Sequence, residues 1–223
     1  MVAGLPGSAL LLATAYLFGG LPLVPVLVRW RTGQDVRAHG TGNPGTSNVY
    51  RSFGARLALL TGPAQFAQGL APVLLAHGAG AAPWLVAAVA VAATAGSAWP
   101  VWLRSEGGGA VGVATGAIAG LGPVPLILTL CLYLAGLALR RIALGVLAAL
   151  CALPLLALAQ GDPPMAVAFA GMLVVVIARR MRGLGAERHP GGEDGGSAGA
   201  VRRDLVQRLL NDRRPAPRPS GPP

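Results

Sequence analysis

The chain has no lysine: all 18 of its basic residues are arginine. Any mechanism that needs a lysine ammonium is thereby excluded. Charge is scarce as well. Only 12% of the residues are charged, against roughly 25% in a soluble domain. Cysteine is nearly absent. Cys131 and Cys151 lie inside apolar blocks, without metal-ligand spacing or a neighbouring histidine. They read as small core hydrophobes, and neither a metal nor another cofactor is expected. No basic residue precedes Arg29, so the positive n-region of a cleavable signal is missing. Strictly alternating segments of about 10 residues, the mark of a membrane β-barrel, are missing too.

What remains is apolar and comes in long blocks: 53% of the residues are hydrophobic and the mean hydropathy is +0.59. These blocks predict an all-α, polytopic membrane helix bundle. The formal charge of +10 does not point to nucleic acid. The arginines sit at the ends of apolar blocks and in the C-terminal tail, where they set topology and meet anionic lipid. No aromatic-studded basic patch accompanies them.

The first span is predicted over Ser8–Val28, closed by Arg29-Trp30-Arg31. The second, Leu57–Ala76, carries Gln65 and Gln68 on one helix face, expected to face the bundle. The third covers Pro83–Leu103. A long run, Val111–Leu139, follows, and Ile142–Leu158 and Met165–Ala178 complete the set. Arginine bias places Arg29–Arg56, Arg104, Arg140-Arg141 and everything from Arg179 on the cytoplasmic side. The run between Arg104 and Arg140 must then cross twice or not at all. Its 29 residues make about 43 Å of helix, short of the roughly 40 residues two spans need. Gly120–Pro125 breaks it in the middle. We read two short or re-entrant half-spans and about seven spans in all, with the N-terminus outside and the C-terminus cytoplasmic. One long helix kinked at the prolines gives six and conflicts with the arginine bias. Residues 1–182 form the membrane domain. Residues 183–223 form a flexible cytoplasmic tail with a short amphipathic helix near 201–211.

Between the first two spans stands Thr41-Gly-Asn-Pro-Gly-Thr-Ser-Asn-Val-Tyr-Arg51. Gly40, Gly42 and Gly45 allow close backbone approach. Thr41, Thr46 and Ser47 offer hydroxyls, Asn43 and Asn48 offer amides, and Arg51 offers a guanidinium. Such a set suits a phosphate at a membrane surface. A glycine-rich turn with asparagine caps is the bland alternative, but the polar residues are too dense for a turn alone.

This loop resembles the first motif of the bacterial acyl-phosphate:glycerol-3-phosphate acyltransferase family, Ser-Gly-Asn-x-Gly-Ala-Thr-Asn-x-x-Arg. Gly42, Asn43, Gly45, Asn48 and Arg51 keep its register, and Thr41 preserves the serine hydroxyl. The resemblance covers about Leu10 to Ala178. It implies a small seven-span enzyme of phospholipid synthesis in the plasma membrane. The second motif, Gly-His-x-x-Pro followed by Lys-Gly-Gly-Lys-Gly-Val-Ala-Thr, is altered. Gly96 to Thr115 keeps both ends of its frame, but Ser97 replaces the histidine. Aligned from the left, Glu106 and Gly109 replace the lysines; Arg104 is the nearest cation. A plain membrane-surface loop remains open here. The third motif, Arg-His-x-x-Asn-Ile-x-Arg-Leu, is matched weakly by Arg202–Asn211, which an amphipathic helix explains as well. His189 and Asp194 have the His-x4-Asp spacing of thioester-using acyltransferases but sit in a glycine-rich linker with nothing to hold them. His39, beside the first motif, is a candidate phosphate donor or base.

The resemblance implies transfer of an acyl group from acyl phosphate to glycerol 3-phosphate, giving lysophosphatidic acid. Thr41, Asn48 and Arg51 are the catalytic candidates, with Asn43 a further ligand of the same phosphate. Gly42, Gly45 and Ser47 complete that cradle. The backbone of Gly107, Gly108 and Gly109, with Arg104, is expected to serve the other phosphate. The alternative is a catalytically inactive paralogue that binds a lipid phosphate or a partner enzyme. A small transporter with re-entrant half-helices has only the broken run behind it.

Overall fold

Proline and glycine punctuate this chain, and its helices begin and end on them. The computed structural model describes residues 4–103, 107, 108 and 110–182. Among these, every regular element is helical. The helices are α1 (Leu5–Gly19), α2 (Leu23–Thr32), α3 (Thr46–Phe53), α4 (Ala55–Gly78) and α5 (Pro83–Ala98). Then come α6 (Val111–Leu121), α7 (Pro123–Ala138), α8 (Ile142–Ala159) and α9 (Pro163–Arg182). The tail, with the stretch near 201–211 and the His189–Asp194 pair, lies outside the described residues. So do Arg104, Glu106 and Gly109.

α5, α7 and α9 each begin on a proline, whose missing N–H costs nothing in the first turn. α4, α7 and α8 end in one common turn. After α4, Gly80 N donates to His77 O and Ala81 N to Ala76 O, both at 3.0 Å. After α8, Gly161 and Asp162 repeat the pattern onto Leu158 O and Ala157 O at 3.0 Å. After α7 the same bonds run from Arg140 to Leu137 O (2.9 Å) and from Arg141 to Gly136 O (2.7 Å). The turn needs a left-handed residue: φ is 65° at Gly80, 69° at Gly161 and 56° at Arg140. Glycine adopts this freely, whereas a residue with a Cβ loses roughly 1–2 kcal/mol.

The broken run behaves as expected. Gly122, at φ 155°, separates α6 from α7, so the single kinked helix is not formed. At 11 and 16 residues, these helices reach only about 17 and 24 Å, short of a bilayer core of about 30 Å. By length and composition, Leu5–Thr32, Pro83–Leu103, Ile142–Ala159 and Pro163–Met181 can each cross. The 24-residue α4 joins them in the bundle with both glutamines buried.

The first span departs from expectation. The single helix predicted over Ser8–Val28 is interrupted at Gly20–Pro22 between α1 and α2. Pro22 and Pro25 have no N–H to give, so carbonyls of the preceding turn lose their helical partners. Gln68 of α4 takes their place. Its Nε2 donates to Phe18 O (3.1 Å), Gly19 O (3.3 Å) and Leu21 O (2.8 Å).

Small residues bring the helices together. A Cβ on Gly69 of α4 would collide with the Val113 carbonyl of α6, and one on Gly116 with the Phe66 carbonyl. Glycine at these crossings lets backbones touch, the usual means of packing helices in lipid. Phe169, Met172, Leu150 and Leu153 of α8 and α9 fill the main core. Leu59, Leu134, Leu155 and Val174 point outward, as lipid requires.

Gln68→Leu removes the donor from the interrupted first span. It should lower stability by about 1–3 kcal/mol, read as a lower thermal midpoint in detergent; a midpoint equal to wild type would contradict this role.

Candidate functional site

The polar loop after α2 is organised by one buried side chain. Asn48, at the start of α3, is fully buried. Its Nδ2 donates to Val36 O (3.1 Å) and His39 O (2.9 Å). Its Oδ1 accepts from Thr41 N at 3.0 Å and from Ser52 Oγ at 3.4 Å. The loop therefore folds back over α3. Gly40 and Gly42 make the tight return, with φ of 56° and 68°. Asp35 accepts from Arg37 N at 2.9 Å and pairs with its guanidinium at 2.7 Å, which holds the carboxyl below its usual range. His39 Nδ1 lies 3.0 Å from Asp35 O, and its ring lies 5.0 Å from that of Phe53.

Behind the loop stands Gln65 of α4. Its Oε1 accepts from Thr46 N (3.1 Å) and Thr46 Oγ1 (2.8 Å). That anchors the first turn of α3. Thr41 Oγ1 accepts from Asn43 N at 3.4 Å, leaving its own proton to donate. Asn43 Oδ1 is buried and accepts no hydrogen bond from the described residues.

The second glycine loop lies on the first. A Cβ at Gly108 would stand 3.2 Å from Asn43 Oδ1 and 3.8 Å from Gly45 N. Arg179 of α9 holds this loop, donating to the carbonyls of Gly107 and Gly108.

These elements enclose a cavity of about 880 Å³. One wall carries Thr41, Asn43, Gly45, Thr46, Ser47 and Arg51. The lining also includes Leu137, Arg140, Arg141, Ile142 and Val146, from the end of α7 and the start of α8, with Arg180 of α9. Gln65, Phe66, Thr115 and Tyr133 line it between, and the Thr115 and Tyr133 hydroxyls lie 3.2 Å apart. The N-terminal turn of α6 opens on it through Ala110, Val111 and Gly112. Among the described residues, four arginines and no carboxylate line this space. The acids among the described residues are Asp35, bound to Arg37, and Asp162, whose Oδ1 accepts from Met165 N at 3.0 Å. Guanidinium groups beside the N-terminal turn of a helix attract a phosphate.

Of the residues singled out from sequence, Thr41, Asn43, Gly45, Ser47 and Arg51 meet in this cavity. Gly42 shapes the turn behind it. Asn48, expected as a ligand, does not line the cavity, because its amide is spent on the loop's own backbone. His39 is likewise held in the loop and does not line it. Gly107 and Gly108 line a smaller neighbouring space of about 20 Å³ with Ser97, Gln65 and Gln68. That is room for about one water. The sequence marks Arg140, Arg141 and Arg180 as topology signals only, yet they line the cavity. A signal was present: a chain without lysine must supply phosphate-binding charge as arginine.

Residues 9–184 match the model of a family described as glycerol-3-phosphate acyltransferase. Arg202–Asn211, the weak third-motif candidate, lies beyond that match. A glycerol-3-phosphate acyltransferase of Rubrobacter xylanophilus is 42% identical over 159 residues, covering 70% of this chain and 78% of that one. One from Pseudomonas aeruginosa is 37% identical over 186 residues, covering 81% and 98%. The fold is that of a crystal structure of PlsY, an integral membrane glycerol 3-phosphate acyltransferase in its glycerol 3-phosphate form. The TM-score is 0.72 at 24% identity, covering 83% of this chain and 96% of that one.

The two polar residues of α3 should separate on mutation. Asn48→Ala leaves the carbonyls of Val36 and His39 without their donor and should lower the thermal midpoint by an amount equivalent to about 1–3 kcal/mol. Arg51→Ala, at an exposed position, should leave it unchanged. Equal midpoints for the two variants would refute this division.

Proposed function

Because this chain belongs to the glycerol-3-phosphate acyltransferase family, we propose that its arginine-lined cavity joins an acyl phosphate to glycerol 3-phosphate. The chain is a membrane acyltransferase of phospholipid synthesis. The observation that carries the substrate pair is the cavity itself: among the described residues, four arginines, no carboxylate, and volume for two ligands. Both substrates bring a phosphate, so the site must hold two anionic groups close together.

In the proposed reaction the 1-hydroxyl of glycerol 3-phosphate attacks the acyl carbon. The new ester C–O bond forms as the bond from acyl carbon to phosphate oxygen breaks. The hydroxyl proton leaves on the departing phosphate, so the reaction balances without an added base. Lysophosphatidic acid and phosphate are the products. An acyl phosphate is already activated, and positioning with charge stabilisation supplies the rate. Arg51, with the Thr41 and Ser47 hydroxyls, holds the phosphate of glycerol 3-phosphate. Asn43 Oδ1, buried without a donor, accepts from a glycerol hydroxyl. Asn48 acts through the loop it positions. Gly107 and Gly108 line the smaller space next to the cavity. All four cavity arginines gather at one end of the bundle, which supports a plasma-membrane protein whose site opens to the cytoplasm. On that reading the N-terminus is outside, and residues 183–223 form a cytoplasmic tail.

The test is an acyl-transfer assay on the full chain in lipid nanodiscs, with palmitoyl phosphate and labelled glycerol 3-phosphate. Wild type should form lysophosphatidic acid. Arg51→Ala should lose about 10- to 100-fold in kcat/KM, as expected for one charge-assisted bond. No product from protein with a normal unfolding transition would exclude this substrate pair and leave a phosphate-binding protein without turnover.

A further inference from the structure

We infer that Arg140 and Arg141, with the apolar stripe Leu137, Ile142 and Val146, form the subsite that seats the acyl donor by its phosphate and the first part of its chain. The inference rests on the acyl-transfer reading above and adds to it the residues that tell the two substrates apart.

The first observation is backbone conformation. Three helices close with the same pair of hydrogen bonds around a left-handed residue. After α4 and α8 that residue is glycine; after α7 it is Arg140. The chain thus follows the steric preference where the turn lacks arginine and departs from it at the turn that lines the cavity. A side chain is kept where backbone sterics favour none, which points to a use for the side chain.

The second observation is the match of shapes. Glycerol 3-phosphate is polar throughout, and the wall made by Thr41, Asn43, Ser47 and Arg51 is polar throughout. An acyl phosphate is anionic at one end and apolar over the rest. The lining at the junction of α7 and α8 has both kinds of group: the guanidiniums of Arg140 and Arg141, and the apolar Leu137, Ile142 and Val146. Arg140 and Arg141 are exposed. Neither has a carboxylate partner, since Asp35 and Asp162, the acids among the described residues, are engaged elsewhere. Two phosphates in one cavity repel, and arginines drawn from separate elements, Arg51 from α3 and Arg140-Arg141 from the α7–α8 junction, let both bind.

The experiment compares wild type, R140G, R140K and the double variant L139R/R140G in nanodiscs of neutral lipid. Glycine suits the left-handed turn, so R140G should be as thermally stable as wild type or more so. It should nonetheless raise KM for palmitoyl phosphate about tenfold or more, with KM for glycerol 3-phosphate unchanged. R140K should recover part of the loss. L139R/R140G keeps the turn's arginine count and should remain impaired, which separates the subsite from a topology signal. Binding of hexadecylphosphonate, which needs no turnover, should weaken in R140G, while binding of glycerol 3-phosphate holds. If wild type shows no acyl transfer but still binds the phosphonate through Arg140, the reaction fails and the subsite stands. An unchanged KM and unchanged phosphonate binding in R140G would overturn the inference, as would an equal rise in KM for both substrates. So would a loss seen only when anionic lipid is added, which would make Arg140 a headgroup contact.

Discussion

A carbonyl freed inside a bilayer has no water to bond, so each break in a membrane helix must find its donor within the protein. Side-chain amides meet that demand here. Gln68 serves the carbonyls left where the first span breaks. Gln65 takes the N–H and hydroxyl of Thr46, and Asn48 ties the polar loop to α3. An amide offers a donor and an acceptor without charge, so none of these ties carries the desolvation penalty of a buried ion. The breaks they permit are what bring loop backbone, α6 and α3 to a common cavity. The site exists because the breaks are tolerated.

The sequence made part of this plain. Density of polar residues marked Thr41–Arg51, and six of its named members meet in the cavity. Gly120–Pro125 announced the split between α6 and α7, since glycine at Gly122 and proline at Pro123 suit a stop followed by a start. The buried faces of Gln65 and Gln68 were legible from their three-residue spacing. Other features were not. The break at Gly20–Pro22 lay within a run apolar enough to pass as one helix, and only the tertiary contact with Gln68 makes an interruption stable there. Asn48 looked like a ligand because loop position does not say which partner claims an amide. Arg140, Arg141 and Arg180 had a sufficient explanation as topology markers, which hid their convergence from separate helices.

Division of labour follows from the architecture. α3 and its loop are short and tied by side chains, so they present fixed polar groups. The α7–α8 junction is a helix hairpin in contact through Gly136 and Gly145, and it presents charge next to an apolar face. α9 supplies Arg179 to hold the second glycine loop and Arg180 to the cavity. One helix end thus positions one loop and contributes charge to the site that loop borders.

The cavity's want of lysine has a chemical side. An acyl phosphate is an electrophile that acylates free amines unaided. A lysine ammonium in equilibrium with its amine is therefore a target as well as a binding group, and acylation would erase its charge. A guanidinium remains protonated and does not compete for the acyl group. On the acyl-phosphate chemistry proposed above, a cavity whose cations are arginine alone is inert to the donor. Each turnover then leaves the charges that bind phosphate as they were before it.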